Sequence, residues 1–255
     1  MPVLLLHGGP GLSNEYLDDL AADIDGGFRI ATFQQRGLAP STLEGPFTMC
    51  QAIQDVIAVL DHLAWSRALI VGHSWGGHLA LRMAAAHPDR LLGALAVEPI
   101  GVVGDGGTAA FEAEMAARTP RRNRDRMVEL DQRAMEGHAT PEEVRESLGL
   151  VWPAYFADPA DTFPMPELRV SIEAYSSLIG TVSSDTDAVA AGLAEGRVRY
   201  HVIAGAGSPI PWGQAAQATA ELSPRGSLTV VPGAGHFPWF EAPGCVRAGL
   251  EHLNH

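Results

Sequence analysis

Two short apolar runs end abruptly in glycine-rich turns: PVLLL before HGGPG at residues 2–11, and ALIV before GHSWGG at residues 68–77. A run that is apolar at every position has to be buried on both faces, and four or five residues are too few for a helix of the core. Each is therefore expected as a central strand of a parallel sheet. FRIATF (28–33), LLGALAVEP (91–99), VRYHVIAG (198–205) and SLTVVPG (227–233) extend the set. Segments of helical periodicity separate these runs. SNEYLDDLAADI opens with Ser13 as an expected cap, and TMCQAIQDVIAVLDHLA places Ile53, Val56, Ile57 and Leu60 on one face. Further helices are expected from about Gly76 to His87, near Trp212–Glu221, and at the end of the chain to about Leu253. Strand–helix alternation of this kind predicts an α/β fold with a mostly parallel sheet, covered by helices on both faces.

The alternation stops after Pro99. GVVGDGG reads as a connector, and residues 105–187 read as helices and loops with no strand of the core type. The expected organisation is one core made of residues 1–104 and 188–255, with a helical cap, or lid, inserted at 105–187. The chain has 255 residues, enough for such a core plus an insertion.

The chemistry concentrates in the turns. Ser74 lies in G-x-S-x-G between a buried strand and a helix, the arrangement of a nucleophile elbow. Gly72 and Gly76 let the turn close, and the following helix directs its N-terminal amides at the developing charge. Gly9 in HGGPG and Trp75 after the serine supply the two backbone N–H groups of an oxyanion hole, since Pro10 has no N–H. A serine hydroxyl needs a base, and His236 in GAGHFPW stands between the last strand and the last helix. His7 and His73 are read as supports of the loops.

Together HGGPG, QQRG and GHSWGG resemble the α/β-hydrolase superfamily, and within it the proline iminopeptidase-like branch. The resemblance covers nearly the whole core and little of residues 105–187. It implies a Ser–His–acid triad, yet this chain departs from it at the acid. Where relatives carry aspartate after the strand VIAG, Ser208 stands, and the next carboxylate is Glu221, well into the following helix. The expected substitute is Glu98 in LAVEPIG, at the end of the strand after the elbow helix. This glutamate-type triad resembles that of some lactonases and certain haloalkane dehalogenases. Asp185 and Asp187 are expected before a strand, on the wrong side of the sheet. A second departure is the start. The antiparallel entry strands of the family are missing ahead of PVLLL, so either the sheet is shortened to about six strands with RIATF at its edge, or the true start lies upstream of Met1.

Around the triad, Trp152, Tyr155 and Phe156 of the WPAYF stretch are candidate substrate-binding residues, equally readable as core of the cap. Gln35 and Arg36 are expected to shape the neighbouring loop. RTPRRNRDR reads as a solvated helix face. The net charge of −13, from 30 acidic against 17 basic residues, excludes a nucleic-acid or anionic-membrane surface as partner. No metal, phosphate or dinucleotide motif is present, so no cofactor is expected. Cys50 and Cys245 are expected to be reduced and buried. The opening MPVLLLHGGPG lacks the pattern of a signal peptide, and no run is long enough to span a membrane. The expectation is a cytoplasmic serine hydrolase, monomeric or homodimeric, acting on small or medium esters or lactones. The alternatives are an aminopeptidase of the proline iminopeptidase type, with Glu112, Glu114 or Glu173 holding the substrate amine, and a catalytically inactive binding protein. Ser74 argues against dehalogenase chemistry, which uses an aspartate at that position.

Overall fold

The computed structural model describes residues 1–24, 26–182 and 184–253. Its strands are β1 (Pro2–Leu6), β2 (Arg29–Thr32), β3 (Ala68–His73), β4 (Leu91–Val97), β5 (Tyr200–Gly205) and β6 (Gly226–Val231). They form one six-stranded sheet in the order β2-β1-β3-β4-β5-β6, parallel at every pairing. The expected edge at RIATF is observed.

Because strand side chains alternate, each central strand divides its apolar residues between two cores. Val3, Leu5, Leu69, Val71, Leu95, Val97 and Ile203 join one. Helices α1 (Leu17–Ile24) and α11 (Cys245–Leu253) cover that face through Leu17, Leu20, Val246 and Leu250. Leu4, Leu6, Ile70, Ala94, Ala96 and Val202 join the other, under α2 (Met49–His62), α3 (Trp75–Ala86) and α8 (Thr186–Ala194). Most of these side chains have no solvent exposure. Burial of this completeness is worth roughly 2 kcal/mol per large aliphatic side chain. Of the α2 stripe, Val56 and Leu60 are fully buried, with Ile53 and Ile57 packed beside them.

Between β4 and α8 lie four helices: α4 (Thr108–Arg118), α5 (Arg121–Met135), α6 (Pro141–Val151) and α7 (Ile172–Ile179). A short 3-10 turn at Trp152–Tyr155 follows α6. The expected boundary after residue 187 falls inside α8, whose Val189 and Leu193 pack into the sheet's core. After β5 the chain makes a π-turn at Gly213–Gln217, runs on as α9 (Ala218–Ala220), and after β6 forms α10 (Pro238–Glu241).

Several local expectations are corrected. Ser13 does not cap α1, which starts at Leu17. The segment instead meets residues 169–171, with Leu12 bridging Val170 in antiparallel fashion and Ser13 Oγ accepting from Arg169 N–H at 2.9 Å. The helix expected from Trp212 begins as the π-turn at Gly213. Cys50 is exposed because the buried stripe of α2 runs through Val56 and Leu60 and stops short of its first turn. Cys245 is half-buried, one position off the buried stripe of α11 that starts at Val246. No helix among the described residues is long and apolar enough to cross a membrane.

Candidate active site

Parallel register brings the C-terminal ends of the central strands to one edge. Leu6 of β1 pairs with Gly72 of β3, so the HGGPG turn lies beside the elbow. Ser74 N–H donates to Val97 O at 2.8 Å, and Glu98 N–H donates to Ile203 O at 2.8 Å. The same hydrogen-bond ladder that builds the sheet therefore sets Ser74, Glu98 and the loop after β5 side by side.

The elbow is strained. Ser74 has φ 53° and ψ −118°, and Glu98 also has a positive φ of 54°. Left-handed backbone at two non-glycine residues costs of order 1–3 kcal/mol each and persists only where surrounding structure enforces it. Gly72 permits the turn, since a Cβ there would stand 1.9 Å from Gly76 O. Trp75 is the first residue of α3. Among the described residues, neither its backbone N–H nor that of Gly9 has a hydrogen-bond partner.

Behind His236 stands Glu98. Its Oε2 lies 3.2 Å from His236 Nδ1, and both side chains are almost free of solvent. A carboxylate oxygen only accepts, so Nδ1 carries the proton and Nε2 is left with a free lone pair. Glu98 is held in turn by Gly205 N–H on Oε1 and by Ser208 O–H on Oε2. Burial pushes the carboxyl up, while those two donors pull it down. Burial pushes the His236 imidazole down, so the ring is neutral at ordinary pH. Ser74 and His236 line one cavity of about 180 Å³. Among the described residues no hydrogen bond joins Ser74 Oγ to the ring, a contact that in such sites is often made only once substrate is bound.

Tyr16 and His73 link the loops. Tyr16 O–H accepts from Gly8 N–H and lies 2.9 Å from His73 Nδ1. His73 Nε2 lies 2.9 Å from the carbonyl oxygen of His236, so Nε2 carries the proton and Nδ1 accepts from Tyr16. One chain thus runs from the HGGPG turn through the residue before Ser74 to the His236 loop. Desolvation keeps His73 neutral, its pKa well below the ordinary value. His7 supports the next loop, with Nε2 accepting from Gln35 N–H at 3.1 Å. Gln35 Oε1 accepts from the Trp75 indole N–H at 2.8 Å, while Arg36 grips Asp55 with two hydrogen bonds. Both residues shape the loop, and neither lines the Ser74 cavity.

The remaining candidates divide. Trp152 and Tyr155 line the cavity, with Tyr155 stacked on the His236 ring at 5.0 Å. Phe156 does not line it. This side chain is fully buried and stacks on Phe237 at 5.8 Å, one layer behind the wall. Glu112, Glu114 and Glu173 are exposed and none lines the cavity. Asp185 and Asp187 sit at the start of α8 rather than directly before a strand, and neither bonds His236. Tyr16, Tyr175 and the supporting part of Ser208 escape a reading of the sequence. Tyr16 looks like any apolar helix position, and Ser208 registers only as a missing acid.

The chain matches the family described as alpha/beta hydrolase fold over residues 1–243. It is 32% identical over 98 residues to Epoxide hydrolase B of Mycobacterium tuberculosis, a match covering 37% of this chain and 28% of that protein. It is 37% identical over 94 residues to Proline iminopeptidase of Lactobacillus crispatus, covering 34% of this chain and 32% of that one. The chain thus aligns with a third or less of the length of these curated relatives. The crystal structure of proline iminopeptidase from Mycobacterium smegmatis superposes with a TM-score of 0.66 at 23% identity, covering 100% of this chain and 89% of that one. At that identity the likeness is one of fold.

Proposed function

Because the chain belongs to the α/β-hydrolase fold family, we propose that it is a serine hydrolase acting on small or medium uncharged esters or lactones through an acyl-enzyme. The observation that carries this reading is the Glu98–His236 contact at 3.2 Å, which leaves the free nitrogen of a neutral ring in the cavity that Ser74 lines.

Ser74 Oγ attacks the substrate carbonyl while His236 Nε2 takes its proton. The negative charge that forms on the carbonyl oxygen is met by the unpaired N–H groups of Gly9 and Trp75, each worth roughly 3 kcal/mol in such a role. His236 then returns the proton to the departing alcohol, leaving an ester between the acyl group and Ser74. Water, deprotonated by the same nitrogen, releases the acid. Glu98 keeps Nδ1 protonated and offsets the imidazolium charge while it exists. Residues 105–187 act in this reading as a cap that roofs the cavity through Trp152 and Tyr155.

The choice of ester or lactone over peptide rests on charge. An aminopeptidase has to hold a cationic substrate amine, and among the described residues no Asp or Glu lines this cavity. Labelling with a fluorophosphonate probe tests the serine mechanism: wild-type protein should label and Ser74→Ala should not. Comparing p-nitrophenyl esters with proline arylamides tests the substrate class. An intact chain that never labels would point to the inactive binding protein, and faster release from the arylamide would return the aminopeptidase reading.

A further inference from the structure

The cavity holds more unpaired polar groups than ester hydrolysis uses. Nearly every polar side-chain group on its wall is already engaged. Tyr16 and His73 bond each other, and the Trp75 indole N–H donates to Gln35. His78 Nδ1 pairs with Ile100 O at 3.1 Å, and its Nε2 accepts from Arg82 at 2.8 Å. The Trp152 indole N–H donates to Phe163 O at 2.7 Å. Among the described residues, four side-chain groups on this wall remain without a partner: Ser74 Oγ, His236 Nε2, and the hydroxyls of Tyr155 and Tyr175. The first two are the reacting pair of the proposed mechanism. The phenols have no task in it.

A phenol hydroxyl in an apolar enclosure normally finds a partner, because leaving it unpaired costs free energy. Here the wall is otherwise apolar or already paired, with Leu148, Ile179 and Val182 among its apolar members. Tyr155 is fixed by its stacking on His236. Tyr175 is fixed by its backbone, whose N–H donates to Ser171 O at 2.9 Å and which packs directly against Gly11 of the HGGPG turn. The Tyr155 ring also packs against Met115, Met127, Val151 and Ala154 of the helical segment, while its hydroxyl has no partner among the described residues.

We propose that the Tyr155 and Tyr175 hydroxyls form a second polar subsite, which recognises an uncharged oxygen acceptor carried by the substrate away from its scissile carbonyl. The proposal rests on the ester or lactone reading and narrows it to bifunctional substrates such as oxo-esters, acylated amino-lactones or ether esters. Charge decides against a carboxylate in the same place. Among the described residues no Arg lines the cavity, and the sequence contains no Lys. Burial above all, with the Asp131 charge a smaller contribution, disfavours negative charge on both phenols. Both hydroxyls therefore stay protonated and donate. A ligand oxygen beside either hydroxyl would accept a hydrogen bond from it, whereas an alkyl chain there would leave it unmet.

Two measurements test this. The first is binding to Ser74→Ala, which removes turnover: the affinities of ethyl 6-oxoheptanoate and ethyl heptanoate are compared by NMR titration. The oxo-ester should bind roughly five- to tenfold tighter. That ratio should fall to near one when Tyr155→Phe and Tyr175→Phe are added, and part-way in Tyr175→Phe alone, the variant to use if the double one is unstable. A ratio near one before the tyrosines are changed, or a preference that survives their loss, overturns the subsite. The second is turnover of the matching p-nitrophenyl esters by the wild type. Hydrolysis no faster than by Ser74→Ala would sink the ester reading, while the binding ratio would still report on the subsite by itself.

Discussion

Ser208 donates its hydroxyl to Glu98 Oε2, the same carboxylate oxygen that faces His236 Nδ1 at 3.2 Å. The position where the family resemblance places an acid thus holds a residue that bonds Glu98, the acid of the proposed triad, from the next strand. A hydrogen bond to a buried charge is worth roughly 1.5–3 kcal/mol. Ser208→Ala should therefore lower kcat roughly tenfold with little change in KM, because the bond acts on His236 rather than on substrate. Steady-state kinetics on a p-nitrophenyl ester reads this directly, and unaltered kcat would reduce Ser208 to packing.

Glu98→Gln keeps the shape and removes the charge. In the proposed triad it should cost roughly 10³–10⁴ in kcat, the scale seen when a triad acid becomes its amide. Adding Ser208→Asp to that variant puts a carboxylate where the family resemblance places one, next to a neutral amide. The double variant should recover part of the lost rate. Ser208→Asp alone should lose activity and stability, since it sets two carboxylates against each other in a buried site. Rates for the four proteins form a cycle. Additive losses, with no recovery, would mean that the two positions do not share the role.

Acid should unfold this protein early. His7, His73, His78, His201 and His236 are nearly or fully buried, and desolvation holds every one below the ordinary 6.5. The values are about 4 for His7, His78 and His201, and about 3 for His236. The unfolded chain takes up protons at these rings near 6.5, whereas the folded chain takes them up only at lower pH. The contribution of these five rings is therefore complete above about 6.5 and falls as pH drops from there toward 4. It outweighs the opposite trend of the single buried Glu98, whose carboxyl is pushed up to about 8 by burial. Urea midpoints at pH 7.5, 6 and 5 should decline in that order. Equal midpoints would show that the rings accept protons without unfolding the chain.

How far the sequence foretold all this depends on whether a residue acts locally. The strand at Ala68–His73 and the serine after it are legible because unbroken apolar residues and two glycines are enough to specify a buried strand and a tight turn. Glu98 is legible as a carboxylate ending a buried strand, although its contact with His236 spans 138 positions. The role of Ser208 is not, because a small polar residue in a loop carries no pattern of its own and acquires meaning only when β4 and β5 pair. Phe156 errs the other way. Its neighbours Trp152 and Tyr155 reach the cavity, but the turn of a 3-10 segment at Trp152–Tyr155 sends Phe156 into the layer behind. Composition and spacing do not encode which side of such a turn faces the cavity.

Tyr16 offers the sharpest test of whether the three loops work as a unit. Its hydroxyl accepts from Gly8 N–H and donates to His73 Nδ1, and His73 passes the connection to the His236 carbonyl. Tyr16→Phe removes one oxygen and leaves two buried polar groups without partners, at a cost of about 1–3 kcal/mol for each one left unpaired. Its ring contacts with His73, Phe237 and Trp239 survive, so the fold should persist with a lower Tm. If the link holds the Gly9 amide in register with Trp75, kcat should fall by more than the stability loss explains. Affinity for a boronic acid, whose tetrahedral adduct places an oxygen in the oxyanion hole, should weaken in parallel. A variant that loses Tm but keeps both kcat and boronate affinity would show that Tyr16 only packs the loops.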